Sequence, residues 1–337
     1  MIPKHIAIVG TGISGLAAAV LLANDQQKVH LYGKHSPPPQ RHMVISQPNI
    51  STLTHYLDLP LQTPITSVHL SAVKQWGMSL FEASSHHLPF FGQLIPSIDL
   101  HQALCANIKH HPNIVQHDQL LTSLDNLDHD LIIIATGKND SLIPKALQHK
   151  QTGPTLQLSQ SLWSLSSPIT THQVWQRFDH SSVWAAIPID EHQIKIIQTS
   201  RYNQPNDAAS IWRHILPLHQ CIDHQSFTFD TFYRTKVADQ KIWSLGENAI
   251  SPPPIAAQHF NHTLQQLLYF KNHLTNEDRS ALWLSLSNQN KRFFEQQLAF
   301  LKRPTQLTGL GLMAIHASNQ LQSLCLNRFM GTPHVTL

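Results

Sequence analysis

His5-Ile-Ala-Ile-Val-Gly10-Thr-Gly-Ile-Ser-Gly15-Leu-Ala-Ala-Ala-Val-Leu-Leu-Ala23 decides how the chain is read. The first five residues are a short apolar, β-branched run, the signature of a buried strand. The Ala- and Leu-rich run from Leu16 to Ala23 favours a helix. Val29-His-Leu31-Tyr32 supplies a second apolar strand. Strand, glycine turn, helix and strand in this order are what a dinucleotide site requires. Gly10 permits the tight turn, Gly12 lets a pyrophosphate approach the backbone, and Gly15 lets the helix pack closely on the strand. Ile13 and Ser14 open the helix, whose N-terminus offers N–H groups and partial positive charge to phosphates. The end of the second strand, where an Asp or Glu would bond the adenosine ribose, is Gly33 followed by Lys34 and His35. Two readings stay open. Backbone, water or another side chain holds the ribose, or Lys34 faces a ribose phosphate and the ligand is NADP.

At 337 residues the chain is long enough for about two domains. Apolar content is 41%, and no apolar run is long enough to span a bilayer. The first apolar segment is a glycine-interrupted strand, so it is not expected to be a signal peptide. Cys105, Cys221 and Cys325 are odd in number and widely spaced, which fits reduced thiols and a cytoplasmic location. A formal charge of +3 implies no nucleic-acid partner. The 25 histidines show no zinc-site spacing. They are expected to be a surface bias with no metal bound, and to raise the net charge steeply below about pH 6.5.

Further along, Ser36-Pro-Pro-Pro39 reads as a stiff loop, and Asn49–Leu59 as a helix. Ile65–Ser71 alternates like a half-buried strand, and Asp99 is the expected N-cap of a helix to Ile108. Asp130-Leu-Ile-Ile-Ile-Ala135-Thr136-Gly137 is a fully apolar strand ending in a small-residue turn. It reads as a parallel strand whose C-terminal end lies at the ligand edge. From Gln151 to Tyr233 the texture changes to an antiparallel meander: Thr155–Trp163, Gln173–Phe178, Ser182–Ile189, Gln193–Ser200 and Ser226–Tyr233. One helix, from about Asp207 to Leu216, interrupts it. Lys241–Leu245 returns to a buried strand ending in Gly246-Glu247. Helices are then expected to about His273, from about Asp278 to Lys302, and from about Gly309 to Met330.

Three separated motifs now stand in order: Gly10-Thr-Gly-Ile-Ser-Gly15, Asp130–Gly137, and Leu245-Gly-Glu-Asn-Ala-Ile250 with Pro254-Ile-Ala-Ala-Gln-His-Phe-Asn261. Together they resemble the class A flavoprotein monooxygenases, those with the para-hydroxybenzoate hydroxylase fold. Within that group the resemblance is to the ubiquinone-biosynthesis aromatic hydroxylases. Phe91–Pro96 with Asp99–Leu104, Val174-Trp-Gln-Arg177-Phe178, Ala185–Pro188 and Thr308–Gly331 carry the narrower likeness, which spans nearly the whole chain.

The resemblance implies an α/β fold. A Rossmann-like FAD-binding domain (1–64, 93–150 and 236–275) would carry an inserted, mostly antiparallel β substrate domain (65–92 and 151–235) and a C-terminal helical region (276–337). It implies FAD as cofactor, NAD(P)H as transient reductant, and O2-dependent hydroxylation of an aromatic, polyprenyl-phenol type substrate. The expected cofactor positions are Gly10, Gly12, Ile13, Ser14, Gly15, Gly33, Lys34, Arg41, Ala135, Thr136, Gly137, Gly246, Glu247, Pro254, Ala257, Gln258, His259 and Asn261. Four departures from the family pattern stand among or beside them. Gly33 replaces the ribose carboxylate. Glu247 replaces an Asp, moving the contact by about 1.5 Å. Ala257-Gln258-His259 replaces Gly-Gln-Gly beside the flavin ring. Ile250 replaces a His. The alternative is therefore a diverged, non-catalytic relative acting as a binding or accessory protein of the same pathway. No catalytic acid or base is nominated, and Arg177 reads equally well as structural. Trp163, Trp175, Trp184 and Phe178 are candidates to line an apolar pocket. The apolar spacing of Leu307–Leu326 is expected to be packing, with docking to the inner-membrane surface or a ubiquinone-synthesis complex as the alternative.

Overall fold

The computed structural model describes residues 2–34, 36–60, 63–74, 76–180, 182–201, 208–255, 258–273, 279–301 and 305–330. His5–Val9 and Lys28–Tyr32 pair in parallel, linked by the helix Ile13–Leu22. They belong to a six-stranded sheet. Its order is Ala238–Asp239, Ile242–Ser244, Leu131–Ile134, His5–Val9, Lys28–Tyr32 and Ile114–His117. All pairs are parallel except the outermost, between Ala238–Asp239 and Ile242–Ser244.

Strand alternation gives this sheet two cores. Ile6, Ile8, Val29 and Leu31 pack against the helix Ile13–Leu22, the helix Ser97–His110 and the helix Gln258–Asn272. Ala7, Val9, Ile132 and Ile134 face Leu142, Ile143 and Leu147 from the loop behind. Nine of the ten residues of Ile13–Leu22 are buried, which explains why the sequence there is so apolar.

The second sheet has eight strands in the order Ile250–Ser251, Leu218–Arg234, Lys150–Leu165, Gln193–Ser200, Ser182–Pro188, Gln173–Phe178, Ser67–Ala72 and Met78–Glu82. It is antiparallel except where Gln173–Phe178 runs parallel to Ser67–Ala72. A small sheet of His42–Ser46, Gly92–Pro96 and Pro64–Ile65 stands apart from both. Arg279–Phe300, Thr305–Ala317 and Asn319–Met330 are the C-terminal helices. Among the described residues no helix is long and apolar enough to cross a membrane.

Several expectations need correction. The helix placed at Asp99 starts at Ser97, because Ser97 is already held by its N–H on the Arg41 carbonyl at 2.7 Å, so Asp99 lies in the first turn. The helix expected over Asn49–Leu59 is Gln47–Leu53. The meander helix is only Ala208–Trp212, closed by turns from Ile215 and Leu216 onto the Trp212 carbonyl; Asp207 lies outside the described residues. The closing helix is two helices, broken at Ser318, whose N–H turns back to Ile315. The fifth meander strand begins at Leu218, eight residues before the apolar alternation that announces it.

Candidate functional site

The three glycine turns meet at the C-terminal edge of the parallel sheet. Gly10, at φ +120°, donates its N–H to the Tyr32 carbonyl at 2.8 Å and ends the first strand. A Cβ on Gly10 would lie 2.4 Å from the Ala135 carbonyl oxygen, and one on Gly15 would lie 1.9 Å from the Gly10 oxygen. Both positions are closed to any side chain. Ala135 in turn donates to the Val9 carbonyl at 2.8 Å, so the first and second motifs are stitched strand to strand.

The third motif completes the edge. Leu245 donates to the Ile134 carbonyl at 2.9 Å, and Gly246 turns at φ +64° directly over the helix start, where a Cβ would meet Ser14 Oγ at 2.9 Å. Gly137, at φ +70°, faces Glu247, whose Oε2 would be 3.9 Å from a Cβ there. Thr136 Oγ1 donates to the Asn139 carbonyl at 3.0 Å, and Asn248 Nδ2 donates to the same oxygen at 2.9 Å. Ile13 and Ala135 are buried, while Ser14, Thr136, Gly137 and Glu247 are half-buried at the rim.

Sequence reasoning missed what braces this edge. Arg234 is fully buried. Its guanidinium donates to the carbonyls of Asn248 (2.5 Å) and Leu147 (2.7 Å) and to Asp140 Oδ1 (2.5 Å); Lys150 also pairs with Asp140. Burial pulls the Arg234 pKa down, and Asp140 pulls it back up. A buried arginine and a surface arginine look alike in sequence, so only the fold exposes the role.

The edge fits a dinucleotide pyrophosphate. A Cβ on Gly12 would meet nothing within 4 Å, and no side chain caps the helix that follows. Among the described residues the N–H groups of that first turn carry no side-chain cap, the arrangement an anion uses. The ribose end is different. Gly33 sits at φ +150°, and a Cβ there would lie 2.9 Å from Thr11 Cγ2. Thr11 fills the room a carboxylate side chain would use, and its hydroxyl donates to the Lys34 carbonyl at 2.8 Å. Lys34 itself is exposed.

At the other end of the cleft, Pro254 is half-buried on the loop that leads to the helix Gln258–Asn272. Gln258 and His259 open that helix; Ala257 lies outside the described residues. His259 is half-buried, and its Nε2 is buried with no hydrogen-bond partner among the described residues. Burial holds its imidazole below the ordinary pKa against the pull of the Glu247 carboxylate, and the positive charges of Arg41 and Lys138 push the same way as burial. Arg41 is exposed, and its charge also bears on Lys195, which burial lowers first. His259, Glu247, Arg41, Lys138 and Lys195 thus share one electrostatic neighbourhood.

Asn261, expected as a cofactor contact, is a clip instead. It is fully buried, its Oδ1 accepts from Ser46 N–H and Asn49 Nδ2 (both 2.9 Å), and its Nδ2 donates to the Val44 carbonyl at 2.9 Å. It aligns the helix with the small sheet.

The tryptophans also move. Trp163, Trp175 and Trp184 all lie on the outer face of the large sheet, packed with Ala208, Ile211 and Trp212 of the meander helix. Arg177 shares that face. It donates to the carbonyls of Ile211 and Ala72 and lies 5.7 Å from the Trp212 ring centre. It is structural here, and it points away from the cleft. Phe178, one residue on, takes the inner face with Leu70, Phe81, Phe91 and Ile255, where Leu301, Leu312 and Leu326 of the C-terminal region pack over them and the Phe178 ring stacks 6.2 Å from that of Phe300. Ile255 follows Pro254 directly, so this apolar wall adjoins the helix start that carries His259. Lys138 lies 5.8 Å from the Phe229 ring centre on the same side.

The histidines are not only a surface bias. His30 and His117 stack beside Tyr32 and His129 meets them edge-on, with His30 Nδ1 and His117 Nε2 3.1 Å apart and the Tyr32 and His117 rings parallel at 4.4 Å. Burial first, then the neighbouring His129 and His117, bring His30 down to about 4. His262, buried against Phe293 and bonded to Asn290 at 2.7 Å, also falls to about 4 through burial. These two do not join the charge rise expected near pH 6.5. Among the described residues no group of His, Cys, Asp and Glu is placed to hold a metal.

Comparison with known proteins follows the same lines. Residues 8–38 match the family model described as an NAD(P)-binding Rossmann-like domain. No curated protein matches the sequence. Among solved structures, p-nitrophenol 4-monooxygenase PnpA from Pseudomonas putida DLL-E4 superposes with a TM-score of 0.73 at 10% identity, over 98% of this chain and 99% of that one. The flavin-dependent brominase Bmp2 gives 0.69 at 10% identity, over 97% and 94%. Tetrameric 2-methyl-3-hydroxypyridine-5-carboxylic acid oxygenase gives 0.64 at 12% identity, over 97% and 96%. The chain therefore has, end to end, the Rossmann-containing α/β fold shared by flavin-dependent monooxygenases and halogenases.

Proposed function

We propose that this chain binds FAD in the cleft and, with NAD(P)H and O2, hydroxylates an apolar aromatic substrate. The observation that carries the reading is the convergence of the three glycine-bearing turns, at Gly10–Gly15, Gly137 and Gly246-Glu247, on one sheet edge. Bound there, FAD would supply the activation of O2 and the transfer of one oxygen atom to the ring. The chain's own part is placement. The first turn of Ile13–Leu22 faces the pyrophosphate charge, and Glu247 offers an acceptor to the sugar-alcohol chain. The inner-face apolar wall excludes water and orients a ring. Arg41, Lys138 and Lys195 keep the cleft positive beside Glu247.

The finer reading, a polyprenyl-phenol of ubiquinone synthesis approached at a membrane surface, draws support from two features. The motifs quoted from Phe91 to Pro188 resemble that hydroxylase family. In addition, Leu310 and Met313 on one C-terminal helix, and Leu321 and Leu324 on the next, are exposed, while no Asp or Glu follows Glu295. Exposed apolar residues in an acid-free segment suit an anionic lipid interface.

One observation favours a second reading, a relative that binds without catalysis: an imidazole stands at 259 beside the ring end, and no carboxylate is accommodated at 33. Absorbance decides between the two. A purified protein with a flavin band near about 450 nm, and phenol-stimulated NAD(P)H oxidation yielding a product with one added oxygen, supports the enzyme. Protein that neither carries nor takes up FAD overturns it.

A further inference from the structure

Ser67–Ala72 and Met78–Glu82 form a hairpin at one end of the eight-stranded sheet. Its turn holds Trp76, which is 75% exposed, with exposed Lys74 before it and Met78, 47% exposed, after it. Of the seven tryptophans in the chain only Trp76 is exposed. The turn is braced. Val73 is buried and its N–H donates to the Phe178 carbonyl at 2.8 Å, while Ala72 donates to the Gly77 carbonyl at 3.4 Å. Lys74 and Gly77 take positive φ, at +55° and +125°. A fixed turn therefore holds an indole out in solvent.

A second exposed apolar surface lies beside it. The helix Thr305–Ala317 packs on both strands of the hairpin. Its end lies far from the turn: Gln322 Nε2 donates to the His316 carbonyl at 3.3 Å, and Gln322 Oε1 lies 3.2 Å from Nε2 of His86, in the short helix that follows Glu82. Its middle, at Leu312, shares a core with Phe81 and Leu70. The helix thus runs back along the strand, and its start faces the turn. Leu310, Met313, Ala314 and Ala317 are exposed at i, i+3, i+4 and i+7, one stripe of that helix. Lys302-Arg303 precedes it in the chain, and no Asp or Glu occurs from Leu59 to Phe81 or after Glu295.

We infer that the turn at Lys74–Gly77 enters the headgroup layer of an anionic bilayer, with the exposed stripe of Thr305–Ala317 lying on the surface beside it. An indole, apolar in body and polar at its N–H, suits the boundary between acyl chains and headgroups. Two segments far apart in sequence bring apolar side chains and cations together without a single acid, the complement of anionic lipid. A second copy fits less well, because a twofold contact would set this cationic face against itself. The inference rests on the membrane-surface reading of the proposed function but not on the cofactor, since no cleft residue lies in this turn.

Flotation of the full chain with vesicles is the test. The chain is expected to float with vesicles of phosphatidylglycerol and phosphatidylcholine in equal parts, to stay behind with phosphatidylcholine alone, and to be released by added salt. Trp76→Ser with Met78→Ser is expected to lower capture at least about tenfold, without moving the melting temperature or flavin uptake measured in the absence of vesicles. Should that variant fail to fold, the wild type carries its own reporter. Emission from Trp76 is expected to shift to the blue, and to escape quenching by iodide, when anionic vesicles are added. No capture by anionic vesicles, equal capture by neutral ones, undiminished capture of the folded double variant, or capture without change in Trp76 emission overturns the inference. So does a vesicle-independent dimer, or a complex with a soluble protein, that the same two changes dissolve. A chain that floats but takes up no flavin would defeat the cofactor reading alone.

Discussion

Gly246 sits directly on the start of the first helix: a Cβ at Gly246 would lie 2.9 Å from the Ser14 hydroxyl oxygen, and its backbone is at φ +64°. The third turn of the cleft is thereby keyed to the first. Gly246→Ala is expected to cost about 1–3 kcal/mol, from the left-handed backbone and the close contact together. Ser14→Gly would recover only the contact part. Urea melts of the single and double variants separate the two.

Glycines of the first turn should divide by what surrounds them. Gly12→Ala meets open space, so the melting temperature should hold while FAD affinity falls at least about tenfold, or 1.4 kcal/mol. Gly15→Ala would drive a methyl to 1.9 Å from a backbone oxygen, and the protein should unfold. Equal loss of stability in both variants would mean that Gly12 faces no ligand.

Gly33→Glu, the obvious repair of the ribose site, should fail. The side chain would enter a strained backbone position against Thr11, at a cost of about 1–3 kcal/mol. Calorimetry is expected to show a lower melting temperature with no gain in FAD affinity.

Acid should weaken the fold between about pH 6.5 and 4. His30 and His262 have folded pKa values near 4, below the ordinary 6.5. The unfolded chain therefore takes up protons first as pH falls, and stability drains across that window. The charges bearing on His30 are His129, His117, Lys28 and His5. His262→Gln should flatten the decline in melting temperature with pH, although it loses some packing on Phe293.

Phe178 and Trp184 lie on opposite faces of one sheet, so they should separate binding from packing. Phe178→Leu is expected to raise KM for an aromatic substrate up to about tenfold, about 1.4 kcal/mol. Trp184→Phe should lower stability and leave KM alone. The reverse result would place the substrate on the outer face.

What could be read in the chain was what sterics force. Gly10 and Gly15 were legible because no other residue fits against Ala135 and the Gly10 carbonyl, and the apolar strands were legible from their period. Trp175 and Phe178, grouped in the sequence as one pocket lining, face opposite sides of Gln173–Phe178, and the sequence does not say which of them meets the cleft. That is settled by the meander helix, too short at Ala208–Trp212 to announce its packing. Asn261 and Arg234 were opaque for a related reason. Their roles are spent on carbonyls of distant segments, and no local pattern encodes those partners.

The strand Gln173–Phe178 has one more lesson, about tolerance to change. Because Trp175 and Arg177 serve one side and Phe178 the other, deleting a single residue within it would turn the cation toward the oily chamber and the phenyl ring toward the flanking helix. Lineages of this chain can therefore vary in length at the loops between strands, whereas an indel inside the strand would turn the sheet inside out.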